Sequence, residues 1–211
     1  KQQSEYHKNE LQVWASMKEG ITYIYRTKEI LGALCLDMFA VLFGGAVAMI
    51  PVFASDILKV GADGFGLLNA ASDIGSMMII VTLSFIPLRK NQGKILIGVV
   101  AGFGLCIIGF GLSKLYWLSF LFLMLSGIFD GISVVIRGTI VQLKTPDHIR
   151  GRVMSANSIF IMSSNEMGQF ESGVAAKLLG VVRSVVFGGT MTVLIALFVG
   201  KFVPKLRKME Y

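Results

Sequence analysis

The chain has 211 residues, of which 54% are hydrophobic and 16% are charged, and its formal net charge is +7. A soluble domain usually carries about 25% charged residues, so this composition favours an integral membrane protein whose first partner is the lipid bilayer. The positive charge does not indicate nucleic-acid binding, because the basic residues lie in short clusters between apolar runs, as in cytoplasmic loops.

Residues 1–28 are polar and charged, with apolar residues at roughly helical spacing from Leu11 onward. The pattern fits an amphipathic segment on the membrane surface, and a solvated linker helix fits it equally well. We therefore predict a cytoplasmic linker over residues 1–28. The chain starts at Lys1 without an initiator methionine, which predicts that it is a piece of a longer protein.

Six apolar stretches follow, and each approaches the roughly 20 residues that a helix needs to cross the hydrocarbon core. They cover residues 30–54, 65–88, 95–112, 117–143, 153–178 and 182–203. The fold class predicted is all-α, an integral membrane six-helix bundle over residues 29–204 with a cytoplasmic tail at 205–211. The basic residues concentrate on the side that holds both ends of the chain, which predicts two cytoplasmic termini.

Several local signals predict how these helices bend, begin and pack. Pro51 predicts a kink near the far end of the first span. Two Gly-x-x-x-Gly motifs, at 98–102 and 127–131, predict close approaches between helices. Thr145 followed by Pro146 predicts an N-cap and the first residue of the fifth helix.

The charged residues inside the spans follow a repeating pattern. The first two spans hold one Asp each, the fourth holds an Asp and an Arg, the fifth holds two Glu, and the third and sixth hold no central charge. These residues are Asp37, Asp73, Asp130, Arg137, Glu166 and Glu171. The order polar, polar, apolar occurs twice, which predicts two inverted three-helix repeats, the construction of one half of many secondary transporters. The third helix of each repeat should face lipid.

Ionisable groups inside an apolar span are costly, so they are candidates for binding substrate or protons. The candidates are Asp37, Asp130, Arg137, Asn165, Glu166 and Glu171. An alternative for Arg137 is that it pairs with an acid to hold the bundle together, or that it snorkels to the interface. Arg137 and Asp130 are seven residues and roughly 10 Å apart along the helix axis, which is too far for contact unless the side chains reach toward each other.

The fifth span is the most polar, because Asn165, Glu166 and Gln169 can share one helical face. Glu171 lies roughly 140° around the helix from Glu166, so the two acids need not face one cavity. For Glu166 two roles stay open, contact with cargo and contact with another domain.

The loop before the fifth span holds Asp147, Arg150 and Arg152, which we take as a candidate cytoplasmic gating loop. Its arginines fit the ordinary positive-inside bias, and a charged latch onto acidic helix ends or a neighbouring domain fits them equally well. The two cysteines and two histidines have no metal-ligand spacing, so we expect no metal, no cofactor and no enzymatic activity.

Four stretches resemble the major facilitator superfamily, in the branch of bacterial efflux proteins that includes the enterobactin exporter and macrolide-efflux-like permeases. They are TPDHIRGRVMSANSIF at 145–160, SSNEMGQFESG at 163–173, SVVFGG at 184–189 and MKEGITYIYRTKEI at 17–30. In that branch a loop of the form TP-D-x-x-R-G-R-V-M leads into the eleventh transmembrane helix. The segment LRKNQGK at 88–94 keeps only the basic character of the superfamily's loop signature.

The resemblance implies the carboxy-terminal half, helices seven to twelve, of a twelve-helix transporter whose amino-terminal half is a partner. It implies that helices seven and ten line a central cavity, which makes Asp37, Asp130 and Arg137 cavity candidates. Helices eight and eleven would face the other half, so Glu166 and Glu171 would serve the cavity or that interface.

The function expected is secondary active export of small amphipathic molecules, drug-like or siderophore-like, by alternating access in a bacterial inner membrane. Proton coupling stays open, because an acid in the membrane can pair with arginine instead of titrating. The alternatives are an integral-membrane enzyme, which needs a clustered set of catalytic side chains, and a channel or non-transporting membrane subunit.

Overall fold

The computed structural model describes residues 16–86 and 90–207, together with Trp14 and Leu88. Residues 1–13 of the predicted linker and residues 208–211 of the predicted tail lie outside this part. All regular structure within it is helical. The helices are α1, residues 16–26; α2, Lys28–Phe43; α3, Ala62–Phe85; α4, Gln92–Leu112; α5, Tyr116–Lys144; α6, Arg150–Leu179; α7, Val181–Phe202; and α8, Pro204–Arg207.

Five stretches among the described residues are long and apolar enough to cross a membrane, namely α3, α4, α5, α7 and the broken helix Lys28–Ile57 that α2 begins. Helix α6 has 30 residues, or about 45 Å at 1.5 Å per residue, so its length suffices. It is not among the five because its polar residues lower its hydropathy. The fifth predicted span, at 153–178, therefore remains a prediction.

The first span is interrupted at Gly44 and Gly45, which are not helical. It continues as a 3-10 turn at Ala46–Met49, a short helix at Ile50–Val52 and a π-helical turn at Phe53–Ile57. Pro51, at which a kink is predicted, lies within the first turn of the short helix, where its missing N–H costs little, and the non-helical break comes earlier, at Gly44 and Gly45.

Neighbouring helices lie close against the two glycines at which the span breaks. A Cβ atom on Gly44 would lie 2.6 Å from the ring of Phe103 on α4. A Cβ atom on Gly45 would lie 2.9 Å from the carbonyl oxygen of Gly168 on α6. Paired glycines are a common cause of sharp helix breaks, and here the lack of side chains also lets α4 and α6 approach.

Each helix packs on specific neighbours. Helix α4 packs most extensively against α7 and also lies against α5, and α3 packs mainly on α5. Helix α2 contacts both α6 and α7. Gly104 on α4 and Gly189 on α7 face each other, and a Cβ atom on either would lie 2.8 Å from the other's carbonyl oxygen. Small residues thus allow the two backbones to approach closely.

The motif at 127–131 produces the close approach that it predicts. A Cβ atom on Gly127 would overlap the carbonyl oxygen of Ser72 on α3, and the hydroxyl of Ser76 donates a 2.8 Å hydrogen bond to the carbonyl of Gly127. The motif at 98–102 makes a close approach at its second glycine only. No atom lies within 4 Å of a Cβ built on Gly98, whereas a Cβ on Gly102 would lie 2.9 Å from the ring of Phe129 on α5.

Buried apolar side chains form two clusters. One contains Ile24 of α1 and Leu206 of α8 together with residues of α2, α4, α5, α6 and α7. The other joins the segment after the α2 break to α3, α4, α5 and α7, and at its centre the rings of Phe53 and Phe110 lie 4.5 Å apart. The two ends of the described chain therefore lie at the same end of the bundle.

The connection between α5 and α6 differs from the predicted cap. Thr145 is extended and ends α5, a 3-10 turn covers Asp147–Ile149, and α6 begins at Arg150. The N-cap prediction is wrong because Pro146 is itself extended, with ψ 145°, so the helical turn begins one residue later at Asp147. The hydroxyl of Thr145 is buried and caps no helix.

Candidate functional site

A buried ion pair joins the first span to α5. The guanidinium of Arg137 contacts the carboxylate of Asp37, and both residues are 6% exposed. Their neighbours Leu36, Ala40 and Ile136 belong to the apolar cluster that holds α1 and α8. The Nε of Arg137 also donates a 3.2 Å hydrogen bond to the carbonyl of Ser133, one turn earlier. The guanidinium therefore lies in apolar surroundings with Asp37 as its close charge partner.

Asp130 stands beside this pair but is far more open. Its Oδ1 lies 3.8 Å from Nη2 of Arg137, and its side chain is 44% exposed. Asp130 and Arg137 are seven residues apart on α5, and the long side chain of Arg137 reaches back along the helix toward the carboxylate of Asp130. Sequence reasoning missed the closer partner, Asp37, because it lies a hundred positions earlier on another helix and no local pattern connects the two.

Asp130 lines a cavity of about 190 Å³ among five helices. Asn165 and Gln169 of α6 also line this cavity, and Ser72 and Ser126 add hydroxyl groups to its wall. The other lining residues are Val41, Gly44, Gly45, Val47, Phe103, Ile107, Leu123 and Gly127. Apolar walls with a few polar groups are typical of small-molecule sites.

The two glutamates of α6 lie apart from this cavity. Glu166 is exposed and does not line it. Glu171 is half-buried and lines a separate apolar groove of about 540 Å³ with Leu42, Phe170 and Phe187 among its walls. Of the six predicted residues, Asp37 and Arg137 thus form an ion pair, with Asp130 beside it. Asn165 lines the same cavity as Asp130, whereas the two glutamates face elsewhere.

The candidate gating loop contacts α1. Arg152 forms an ion pair with Glu19 of α1, and the hydroxyl of Tyr23 donates a hydrogen bond to the carbonyl of Lys144. A Cβ atom on Gly20 would lie 2.5 Å from the carbonyl oxygen of Arg152, so the two backbones approach closely. Sequence reasoning missed Glu19 and Tyr23 because charged and aromatic residues in a polar linker carry no signal of their own.

The other two loop residues pair with each other. Arg150 forms an ion pair with Asp147, three residues earlier, and both side chains are substantially exposed. Of the two arginines, Arg152 thus makes the contact between α6 and α1, as a latch requires. Among the residues that the structure describes, no three His, Cys, Asp or Glu side chains form a group that could hold a metal ion.

The contact between Arg152 and Glu19 yields a testable prediction. Glu19→Arg or Arg152→Glu alone should lower the melting temperature of the full-length protein in detergent, and the double exchange should restore most of it. Both side chains are nearly half exposed, so we expect a coupling of about 0.2–1 kcal/mol. Single exchanges whose effects simply add in the double variant would contradict a contact between the two side chains.

The apolar helices agree with the family to which the comparison against protein families assigns the chain. The family described as Transmembrane secretion effector, MFS_3, matches residues 2–211. The chain belongs to this family. This is an MFS-type family, and the chain has several apolar helices long enough to cross a membrane. It is therefore a multi-pass membrane protein that acts in transmembrane transport. No curated protein and no solved structure matches the chain significantly.

The family assignment confirms the superfamily that the four stretches at 17–30, 145–160, 163–173 and 184–189 resemble. A Transmembrane secretion effector of the MFS type is a transporter, and transporters are generally not enzymes. The Asp130 cavity and the Asp37–Arg137 pair are consequently parts of a transport protein.

Proposed function

We propose that this chain is the carboxy-terminal half, helices seven to twelve, of a secondary exporter of small amphipathic molecules, in the efflux branch that its sequence resembles. The exporter would work by alternating access in a bacterial inner membrane, with both termini in the cytoplasm. The observation that supports it best is the exposed polar face of α6. Asn165, Glu166 and Gln169 are all exposed there, and such groups are too costly to face lipid.

That face therefore needs water or protein against it. It adjoins the cavity that Asp130 lines, since Asn165 and Gln169 belong to both. Helix α3, with few buried residues, exposes the large apolar side chains of Met77, Met78 and Phe85. We infer that α3 and α6 meet the amino-terminal half and that the cavity between them and α5 receives cargo. Glu166, exposed and outside the cavity, is then assigned to the interface.

The packing pattern supports two inverted repeats of three helices. Helix α3 packs on α5 as α6 packs on α2, and α4 lies on α5 as α7 lies on α2. If α2, α3 and α4 are exchanged with α5, α6 and α7, in that order, the α3–α5 contact becomes the α6–α2 contact and the α4–α5 contact becomes the α7–α2 contact. The contact between α4 and α7 is unchanged by the exchange. This is the exchange that an inverted-topology repeat produces.

Transport by the full-length protein tests the proposal. Everted membrane vesicles carrying it should accumulate amphipathic compounds from a panel of drugs, siderophores and lipophilic metabolites, whereas vesicles without it should not. Accumulation should collapse with a protonophore if protons drive it, and a sodium ionophore tests the other common gradient. Accumulation that requires ATP in the absence of any ion gradient would overturn the assignment to secondary transport.

Residues 1–211 alone should bind cargo weakly or not at all and should not transport it, because half of the cavity and half of the moving interface would be missing. The measurement is uptake by proteoliposomes containing residues 1–211, with the full-length protein as the positive control. Transport by the reconstituted fragment would contradict the two-half architecture, unless size analysis in detergent shows that two copies assemble.

A further inference from the structure

The charges beside the cavity do not balance. Asp37, Asp130 and Arg137 together carry two carboxylates and one guanidinium, a formal sum of −1. Arg137 is in direct contact with Asp37, whereas its closest approach to Asp130 is 3.8 Å. The guanidinium thus serves mainly to neutralise the buried Asp37, and Asp130 keeps most of its charge for the cavity.

The rest of the cavity wall that this chain forms offers nothing positive to Asp130. Among the lining residues in the described part of the chain, Asp130 alone is charged. Helix α6 contributes the amides of Asn165 and Gln169, α3 contributes the hydroxyl of Ser72, and α4 contributes the ring of Phe103. The side chain of Asp130 is accessible from this space, because 44% of it is exposed.

We propose that the cavity holds the cationic group of the cargo, an amine or quaternary ammonium, against Asp130, with the apolar body of the molecule against Phe103, Ile107 and Leu123. This inference rests on the proposed function, because it names the charge class that the same site carries. A cation supplies the partner that Asp130 lacks within this chain, and a charged contact away from bulk water is stronger than an exposed one. An anionic, siderophore-like molecule would instead be repelled.

The test is equilibrium binding of two isosteric probes to the purified full-length transporter. Phenyltrimethylammonium and tert-butylbenzene have nearly the same shape and differ by one positive charge. We expect the wild-type protein to prefer the cation. Asp130→Asn should weaken binding of the cation about tenfold or more, because the Coulombic attraction between the carboxylate and the ammonium is lost, while binding of the neutral probe stays within about twofold.

Asp73→Asn is the matched control, because it also removes one acidic charge from a helix but at an exposed position outside the cavity wall. It should leave the preference for the cation unchanged. Asp130→Asn preserves side-chain shape at a partly exposed site, so we expect this variant to fold. A melting curve of each variant in detergent checks that expectation.

Two further variants test whether cation binding depends on the summed charge beside the cavity and not on one particular carboxylate. Asp37→Asn frees Arg137 to turn toward Asp130, so the charge near the cavity falls to zero and binding of the cation should weaken. Asp37→Asn combined with Arg137→Gln returns the sum to −1, and binding of the cation should recover. The double variant also leaves no buried ion without a partner, so it should fold at least as well as Asp37→Asn.

An absence of cation preference in the wild-type protein, or a preference that survives Asp130→Asn, overturns the inference. Failure to recover binding in the double variant overturns the charge balance on which it depends. These measurements need no transport. If the vesicles fail to accumulate any compound while cation binding follows the charge series, the exporter proposal falls and the site assignment stands.

Discussion

Arg137→Leu should destabilise the folded bundle by about 3–5 kcal/mol, the usual cost of leaving one member of a buried ion pair without its partner. The carboxylate of Asp37 would remain among apolar neighbours, at 6% exposure, with no cation to offset its desolvation. The measurement is reversible unfolding of the full-length protein in mixed micelles, followed by loss of helical circular dichroism.

Arg150→Leu is the matched control for this experiment. It also breaks an ion pair between arginine and aspartate, but its partner Asp147 is 87% exposed at the side chain and stays solvated. The expected change is within about 1 kcal/mol. Similar changes at the two positions would show that the Asp37–Arg137 pair is not buried from solvent in the bilayer-embedded protein.

Gly127→Ala should destabilise the contact between α3 and α5 by about 1–3 kcal/mol, the range for overpacking a well-packed interface. The added methyl group would overlap the carbonyl oxygen of Ser72, and backbone atoms cannot yield as a flexible side chain can. Separating the helices would also stretch the 2.8 Å hydrogen bond from Ser76 to the carbonyl of Gly127. Because Gly127 lines the cavity as well, transport should fall with stability.

Gly138→Ala is the control on the same helix. No atom lies within 4 Å of a Cβ built on Gly138, so the methyl group meets open space. Alanine is also the better helix former, so stability should stay the same or rise. The same micelle unfolding assay compares the two variants. Equal losses at both positions would mean that α5 tolerates no alanine in place of glycine anywhere, and the specific contact with Ser72 would not explain the result.

Much of the architecture was open to prediction from the sequence by itself. Apolar runs of membrane length predict helices because unsatisfied backbone groups cannot exist in lipid, and five of the predicted spans coincide with helices that meet the criteria of length and hydropathy. The polar face of α6 was visible for the same reason, since Asn165, Glu166 and Gln169 stand out in an otherwise apolar stretch. The motif at 127–131 also predicted its close contact correctly.

Only the tertiary structure decided which charges pair and where the first span breaks. The partner of Arg137 is Asp37, chosen by the packing of α2 beside α5, whereas the sequence left open which acid it would pair with. The first span breaks at Gly44 and Gly45, where α4 and α6 lie close against the backbone, and the sequence does not show which helices meet there. The contact of Glu19 with Arg152 likewise joins helices distant in sequence. Hydrophobic periodicity shows which face of a single helix is apolar. Contacts between side chains of different helices depend on how those helices are placed relative to each other.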